Sequence, residues 1–253
     1  MHPFWKLLPQ TVLFTRSEEN IMIKLGIIGA MDVEVATLKE IMTNKVVKKI
    51  TNMEFCEGNL EGTEAVIVQC GVGKVNAALT TQILCSCFQV THIINTGIAG
   101  SLNAQLDIGD FVISRDAVYH DMDATNFGYP MCQVPGLHVL AFPADEALMV
   151  AAFKAADDAH PGHAWIGRVA TGDQFVADKA LKEKIIANTS AYCTEMEGAA
   201  IAHTAWKNGV PFVIIRAISD KADDSAEMDY PTFEAQAAQR CAQVTQELAK
   251  VLA

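Results

Sequence analysis

Six near-continuous runs of apolar, largely β-branched residues constrain this chain more than any other feature. They lie at residues 23–29, 65–70, 92–96, 111–114, 166–171 and 212–218. None alternates every second residue, so each predicts a strand buried on both faces. Between them, helical spacing appears at 32–42, 74–87, 145–156, 179–187, 196–208 and 232–252. Asn208-Gly209, trailed by Pro211, reads as a helix stop. Strands alternating with helices predict an α/β fold: a three-layer αβα domain around a central mixed, largely parallel sheet. No repeat or linker divides residues 22–253, which read as one domain.

The chain's bulk properties narrow the partners. Its 253 residues can bury a core large enough to need no covalent staples. A net charge of −11 repels nucleic acid phosphate and gives no attraction to anionic membranes. No stretch is long and apolar enough to cross a bilayer. The seven cysteines form no CxxC pair and read as reduced thiols of a cytoplasmic protein. The histidines make no HExxH motif, so no metal is expected. Residues 1–21 hold Lys6 and a short apolar patch interrupted by Pro9, without a small-residue cleavage site. They read as an appended or mis-started leader, with a short ordered arm as the alternative.

Ligands of open α/β sheets gather beyond the carboxyl ends of the strands. Four of the five strand ends read for chemistry contain glycine, where backbone can bend sharply and approach a ligand. Neither cofactor loop is present. Gly26-x-x-Gly29 followed by Ala30 and Met31 is not the GxGxxG dinucleotide motif. Gly71-Val72-Gly73-Lys74 lacks the P-loop spacing, because Val68 stands where the first glycine belongs. No cofactor is expected, and tight strand-to-helix turns account for most of these glycines.

Acidic residues at the strand ends say more. Glu34 falls in the first turn of a helix, where the helix dipole alone would favour it by up to about 1 kcal/mol. Glu195 and Glu197 flank Met196 at the start of another helix. Two residues apart, they cannot share a helical face, which leaves one for a ligand and the other for solvent. Asp220 ends a strand whose one charged member is Arg216, a residue that requires a partner or a site if buried.

Taken in order, the motifs KLGIIGAM at 24–31, GVGKV at 71–75, NTGIAG at 95–100, YHD at 119–121, NFGY at 126–129, GDQF at 172–175, EME at 195–197 and RAISD at 216–220 form a set. Each is weak alone. Together they closely resemble bacterial 5′-methylthioadenosine/S-adenosylhomocysteine nucleosidases, of the purine nucleoside phosphorylase-like superfamily, from about Met22 to the C-terminus. The resemblance implies hydrolysis of the N-glycosidic bond in methionine salvage and the activated methyl cycle. It implies Glu34 as the base that activates water and Asp220, beside Ser219, as the acid serving N7 of adenine. Glu197 would hold the ribose hydroxyls, with Met196 against the sugar and Arg216 near the water and carboxylates. Phe175 would stack on adenine, and the backbone of Val176 would read its edge. Val72, Ala99, Gly100, Phe127, Tyr129, Pro135 and Tyr230 or Phe233 match positions around the base or the 5′-alkylthio pocket. Part of that pocket would come from a neighbouring subunit, which implies a homodimer. The sequence departs from the family at Ile98, where serine is common. This puts one hydrogen bond to the nucleoside in doubt.

The chemistry suits such residues. Cleavage leaves electron deficiency on the sugar and negative charge on the base, and both must be stabilised as they develop. Burial beside other carboxylates should raise the pKa of Asp220 so that it can donate a proton, while Glu34 must be ionised to take one. A phosphorylase would need cations for phosphate in the loop at 29–34, which instead carries Asp32 and Glu34. Futalosine hydrolysis and another purine nucleoside hydrolase or phosphorylase are alternatives within the superfamily. Outside it stands a non-catalytic nucleoside-binding module.

Overall fold

The computed structural model describes residues 22–223 and 226–253. The leader expected at 1–21 lies outside the described residues. The chain runs β1 (Lys24–Gly29), α1 (Asp32–Ile41), β2 (Thr43–Ile50), β3 (Met53–Leu60), β4 (Thr63–Gln69), α2 (Lys74–Cys87) and β5 (His92–Ser101). It continues with β6 (Phe111–Tyr119), β7 (Phe142–Pro143), α3 (Glu146–Ala159), β8 (Ala164–Thr171), α4 (Lys179–Thr189), β9 (Cys193–Glu195), α5 (Gly198–Asn208), β10 (Phe212–Asp220) and α6 (Ala226–Val251).

All six apolar runs are strands, and their lack of alternation has the expected cause. Successive residues enter opposite layers of the core. Leu25, Ile27, Ile94, Val213 and Ile215 pack beneath α1, α3 and α6, against Val35, Leu38, Leu148, Ala152, Val244 and Leu248. Ile28, Val66, Ile93, Val112 and Ile214 face α2 and α5, against Ala77, Leu84, Ile201 and Ala205. The result is an αβα sandwich with helices on both faces of a mixed sheet.

Strands β4, β1, β5 and β10 are neighbours in that order and all parallel. Beyond them β10 pairs β6 antiparallel, β6 pairs β8 in parallel, β8 pairs β9 in parallel, and β9 returns antiparallel to β5. Five strands thus close on one another at one end of the sheet, and their ends converge. The β5–β10 register shifts between Ile218 and Asp220, an irregularity that re-aims the last residues of β10.

The elements the sequence pattern missed are those without a buried run. β2 and β3 form an antiparallel hairpin, but β2 is exposed along nearly its whole length and carries Lys45, Lys48 and Lys49. β7 and β9 are two and three residues long. Helix α6 begins at Ala226 rather than 232, because Pro231 lies inside it and proline reads as a boundary. The helix ends follow local chemistry. Asp145 and Asp178 cap α3 and α4 by accepting the N–H of Leu148 and Leu181. Gly209 ends α5 at φ +65°, donating its N–H to Ala205 and Trp206.

The two-sided core predicts a contrast in stability. Ile214→Ala, at a fully buried site between layers, should cost about 2–5 kcal/mol in urea denaturation. Val46→Ala, on the exposed strand β2, should stay within about 0.5 kcal/mol of the wild type.

Candidate active site

Where the ends of β1, β5, β9 and β10 converge, an open cleft is lined by Glu34, Glu195, Glu197 and Asp220 together with Ala30, Met31, Val72, Ile98, Phe175 and Tyr230. Ala99, Gly100, Thr194, Met196 and Ser219 complete the wall. Among the described residues, the lining holds four carboxylates and no lysine, arginine or histidine.

Glu34 sits in the first turn of α1 and turns back on the loop that precedes it. Its Oε2 accepts the N–H groups of Ala30 (2.7 Å) and Met31 (2.9 Å), and its Oε1 accepts that of Ile98 (3.1 Å). Only 3% of the residue is exposed. Burial raises its pKa, and this outweighs the opposing pull of Arg216 and the three backbone donors. Ile98 thus serves the acid through its backbone, whatever its side chain.

Glu197, just ahead of α5, accepts the N–H of Gly73 at 2.8 Å. Gly73 makes that approach at φ +98°, in the left-handed region that glycine tolerates. Burial and the neighbouring Glu195 carboxylate push the Glu197 pKa up to about 7, against the influence of Arg216 and the Gly73 N–H. Asp220 is 3% exposed, accepts the Ser219 hydroxyl at 2.8 Å and the N–H of Ala222 at 2.7 Å, and lies opposite Gly100 in the register.

Behind the wall lies Arg216, 1% exposed. Its Nη2 donates to Glu195 and, at 2.6 Å, to Asn95 Oδ1; Asn95 in turn donates to Ile28 O in β1. Glu197 Oε2 is 4.0 Å away. Burial alone would lower the arginine's pKa, but Glu195, Glu34 and Glu197 more than reverse this and keep it charged. Gly97, beside Arg216 in the register, makes room. A methyl group there would lie well inside 3.0 Å of both Arg216 Nη1 and Glu34 Oε1.

The structure brings together most residues singled out in the sequence. Glu34, Glu197, Met196, Phe175, Val72, Ile98, Ala99, Gly100, Ser219, Asp220 and Tyr230 line one cleft. Phe175 and Tyr230 meet edge to face at 5.4 Å between centroids. Of the Tyr230 or Phe233 alternative, Tyr230 is the lining residue. Phe233 lines a separate cleft with Asp107, Lys221 and Arg240. Arg216 is a support behind the wall rather than part of the surface. Val176 buries its side chain in a small cluster with Leu102 and Ala170, away from the cleft. Phe127, Tyr129 and Pro135, on the long connection between β6 and β7, do not line the cleft of the single chain. Phe127 is 85% exposed. The expectation that one of Glu195 and Glu197 faces solvent also fails, because both are buried. The pattern gave no role to Asn95, Thr171 or Thr194, and left Glu195 undecided between ligand and solvent. Polar residues within or ending otherwise apolar runs were the available signal for Asn95 and Thr171.

Comparison with known proteins agrees with this geometry. Residues 24–250 match the family model described as the phosphorylase superfamily. A curated 5′-methylthioadenosine/S-adenosylhomocysteine nucleosidase of Halalkalibacterium halodurans is 43% identical, over 84% of this chain and 91% of its own. A crystal structure of such a nucleosidase from Colwellia psychrerythraea, in complex with adenine, superposes with a TM-score of 0.88 at 39% identity, over 91% of this chain and 96% of that one. The futalosine hydrolase of Helicobacter pylori reaches 0.86 at 31% identity, over 91% and 98%.

The crowding at Gly97 yields a direct test. Gly97→Ala should displace Arg216 and Glu34 together and lower kcat/KM by roughly 10²-fold, the scale of an ångström-level misplacement. A loss under about tenfold would show that the two side chains do not depend on that space.

Proposed function

This chain belongs to the phosphorylase superfamily, on its 5′-methylthioadenosine/S-adenosylhomocysteine nucleosidase branch, and on that footing we propose how its cleft performs the reaction. It is an N-glycosyl hydrolase that cuts methylthioadenosine and S-adenosylhomocysteine to adenine and the 5′-thio sugar. One observation carries the choice of water over phosphate: among the described residues, the cleft presents four carboxylates and no basic side chain. A phosphate dianion entering beside them would meet repulsion with no surface cation to offset it. Arg216, behind the wall, is already engaged by Glu195.

In our reading, the adenine of the substrate packs by Phe175 and its N7 faces Asp220. The sugar lies against Met196, with its hydroxyls on Glu197. Water sits by Glu34. As the bond from the anomeric carbon to N9 breaks, its electron pair moves onto the purine and Asp220 supplies a proton at N7. The water oxygen bonds to the anomeric carbon, and Glu34 takes its proton. A carboxylate with a raised pKa is a better base near neutral pH than an ordinary one, provided that it is ionised. The apolar side chains of Val72, Met31 and Ile98 suit a thioether better than a hydroxyl at the 5′ position. 5′-Deoxyadenosine fits the same site.

A homodimer completes the reading. It is supported by Phe127, Tyr129 and Pro135, which match the family's 5′-pocket positions yet lie outside the single-chain cleft, with Phe127 85% exposed. Cytoplasmic residence is supported by the seven cysteines, all free thiols. Among the described residues no helix is long and apolar enough to cross a membrane.

A panel followed for release of the free base, adenine or hypoxanthine, tests the reading. It includes methylthioadenosine, S-adenosylhomocysteine, 5′-deoxyadenosine, adenosine, inosine and futalosine, each with and without phosphate. The two thioethers should be cleaved fastest, at rates indifferent to phosphate. Glu34→Gln and Asp220→Asn should each lose at least about 10²-fold in kcat. Strict phosphate dependence overturns the hydrolase mechanism, near-normal turnover by either variant overturns that residue's role, and a preference for futalosine overturns the substrate assignment.

A further inference from the structure

Glu195 accepts hydrogen bonds from Thr171, Glu197, Gly198 and Arg216, yet the reaction as written gives it nothing to do. Its Oε1 accepts the hydroxyl of Thr171, which itself accepts the N–H of Ala199 at 2.7 Å. Its Oε2 accepts the N–H of Gly198 at 2.7 Å and of Glu197 at 3.2 Å, and also Arg216 Nη2. Strand β9 locks it in place, because Glu195 pairs with Thr171 of β8 and Thr194 pairs with Gly100 of β5. The carboxylate is therefore fixed before any ligand arrives, by backbone N–H groups on Oε2 and by the Thr171 hydroxyl on Oε1.

The consequence lies in where Arg216 points. A guanidinium is a planar fork that pairs most strongly with one carboxylate edge. Three carboxylates surround this one, and Glu195 holds it. Glu197 stays at 4.0 Å, and Glu34, whose Oε1 shares the space over Gly97 with Arg216 Nη1, makes its hydrogen bonds to backbone N–H groups instead. We propose that Glu195 is a positioning residue: by engaging Arg216 it keeps the guanidinium off Glu34 and Glu197, leaving the first free to receive a proton from water and the second free for the sugar hydroxyls. This rests on the roles proposed above for Glu34 and Glu197.

The surrounding charges allow the idea to be read from a pH profile. The groups packed around the site are Glu34 from α1, Cys70 after β4, His120 after β6, Cys193 and Glu195 from β9, Glu197 before α5, Arg216 and Asp220 from β10, and Tyr230 and Cys241 from α6. Burial pushes the three thiols and the phenol up and the imidazole down, which keeps all five neutral around pH 7. Among the described residues, Arg216 is the one cation that acts on both Glu34 and Glu197, and in both it lowers a pKa that burial has raised. Without the Glu195 charge, Arg216 acts on them undivided, and the repulsion that Glu195 exerts on Glu197 disappears. Both changes favour the ionised forms, so the acid limb of the rate profile must move to lower pH.

The experiment measures kcat and kcat/KM for adenine release from methylthioadenosine between pH 4.5 and 9 (a range set by about two units either side of neutral), in the wild type, Glu195→Gln and Glu195→Asp. The acid midpoint should fall in the order wild type, Asp variant, Gln variant, since aspartate retreats by one methylene but keeps its charge. A shift of about one unit in the Gln variant would raise activity, relative to its own plateau, roughly fivefold at one unit below the wild-type midpoint. KM should rise as Arg216 competes with the sugar for Glu197. If the Gln variant does not fold, the Asp variant alone must show the shift. A plateau lowered equally at every pH, with midpoints within about 0.3 unit of the wild type, means that Glu195 only supports the fold, and overturns the proposal. Absence of adenine release by the wild type would instead strike the function proposed above.

Discussion

A single arginine with almost no exposed surface sets the terms for this structure. Burying an isolated guanidinium costs several kcal/mol even after relaxation, so Arg216 can persist at the centre of the sheet only with compensating charge and hydrogen bonds. Glu195 and Asn95 supply the contacts, and Glu34 and Glu197 add their fields. The need runs both ways. Three carboxylates buried within a few ångströms of each other would repel strongly without that cation. The polar centre is therefore one interdependent unit, whose members come from α1, β5, β9 and β10 and from the loop before α5.

The fold provides this unit through strand ends. Parallel strands β1, β5 and β10 bring Gly29, Gly97 and Asp220 to one edge, and β9 wedges Glu195 between β8 and β5. Backbone N–H groups then do much of the holding. Those of Ala30, Met31 and Ile98 fix Glu34, that of Gly73 fixes Glu197, and that of Ala222 fixes Asp220. Donors built into the main chain cannot rotate away, so the carboxylates are aimed before substrate binds. Burial still outweighs those donors at Glu34 and Glu197, leaving both less acidic than in water. That combination of fixed direction and raised basicity is what a proton-accepting site at neutral pH requires.

Much of this was legible in the sequence, for reasons that can be named. The six apolar runs became strands because burial on both faces demands continuous hydrophobicity, and the αβα layering followed. Arg216 in an apolar run announced a site, since charge in such a run needs compensation. The hairpin of β2 and β3 was invisible because the exposed β2 carries no buried face for a pattern to record. Glu195 was ambiguous because helical spacing was applied to a residue that lies in a three-residue strand, just ahead of the helix. Tyr230 and Phe233 stood as alternatives because they lie three apart on α6; Tyr230 lines the cleft and Phe233 a separate one with Lys221 and Arg240. Sequence order could not show that difference.

The central claim is that this acid-lined cleft delivers water to the sugar. The direct measurement is a short-time reaction of methylthioadenosine in ¹⁸O-water containing phosphate, with mass analysis of the sugar before its anomeric hydroxyl exchanges. The structure predicts one ¹⁸O in the free thio sugar and no sugar phosphate. A sugar 1-phosphate carrying no label from water would contradict it.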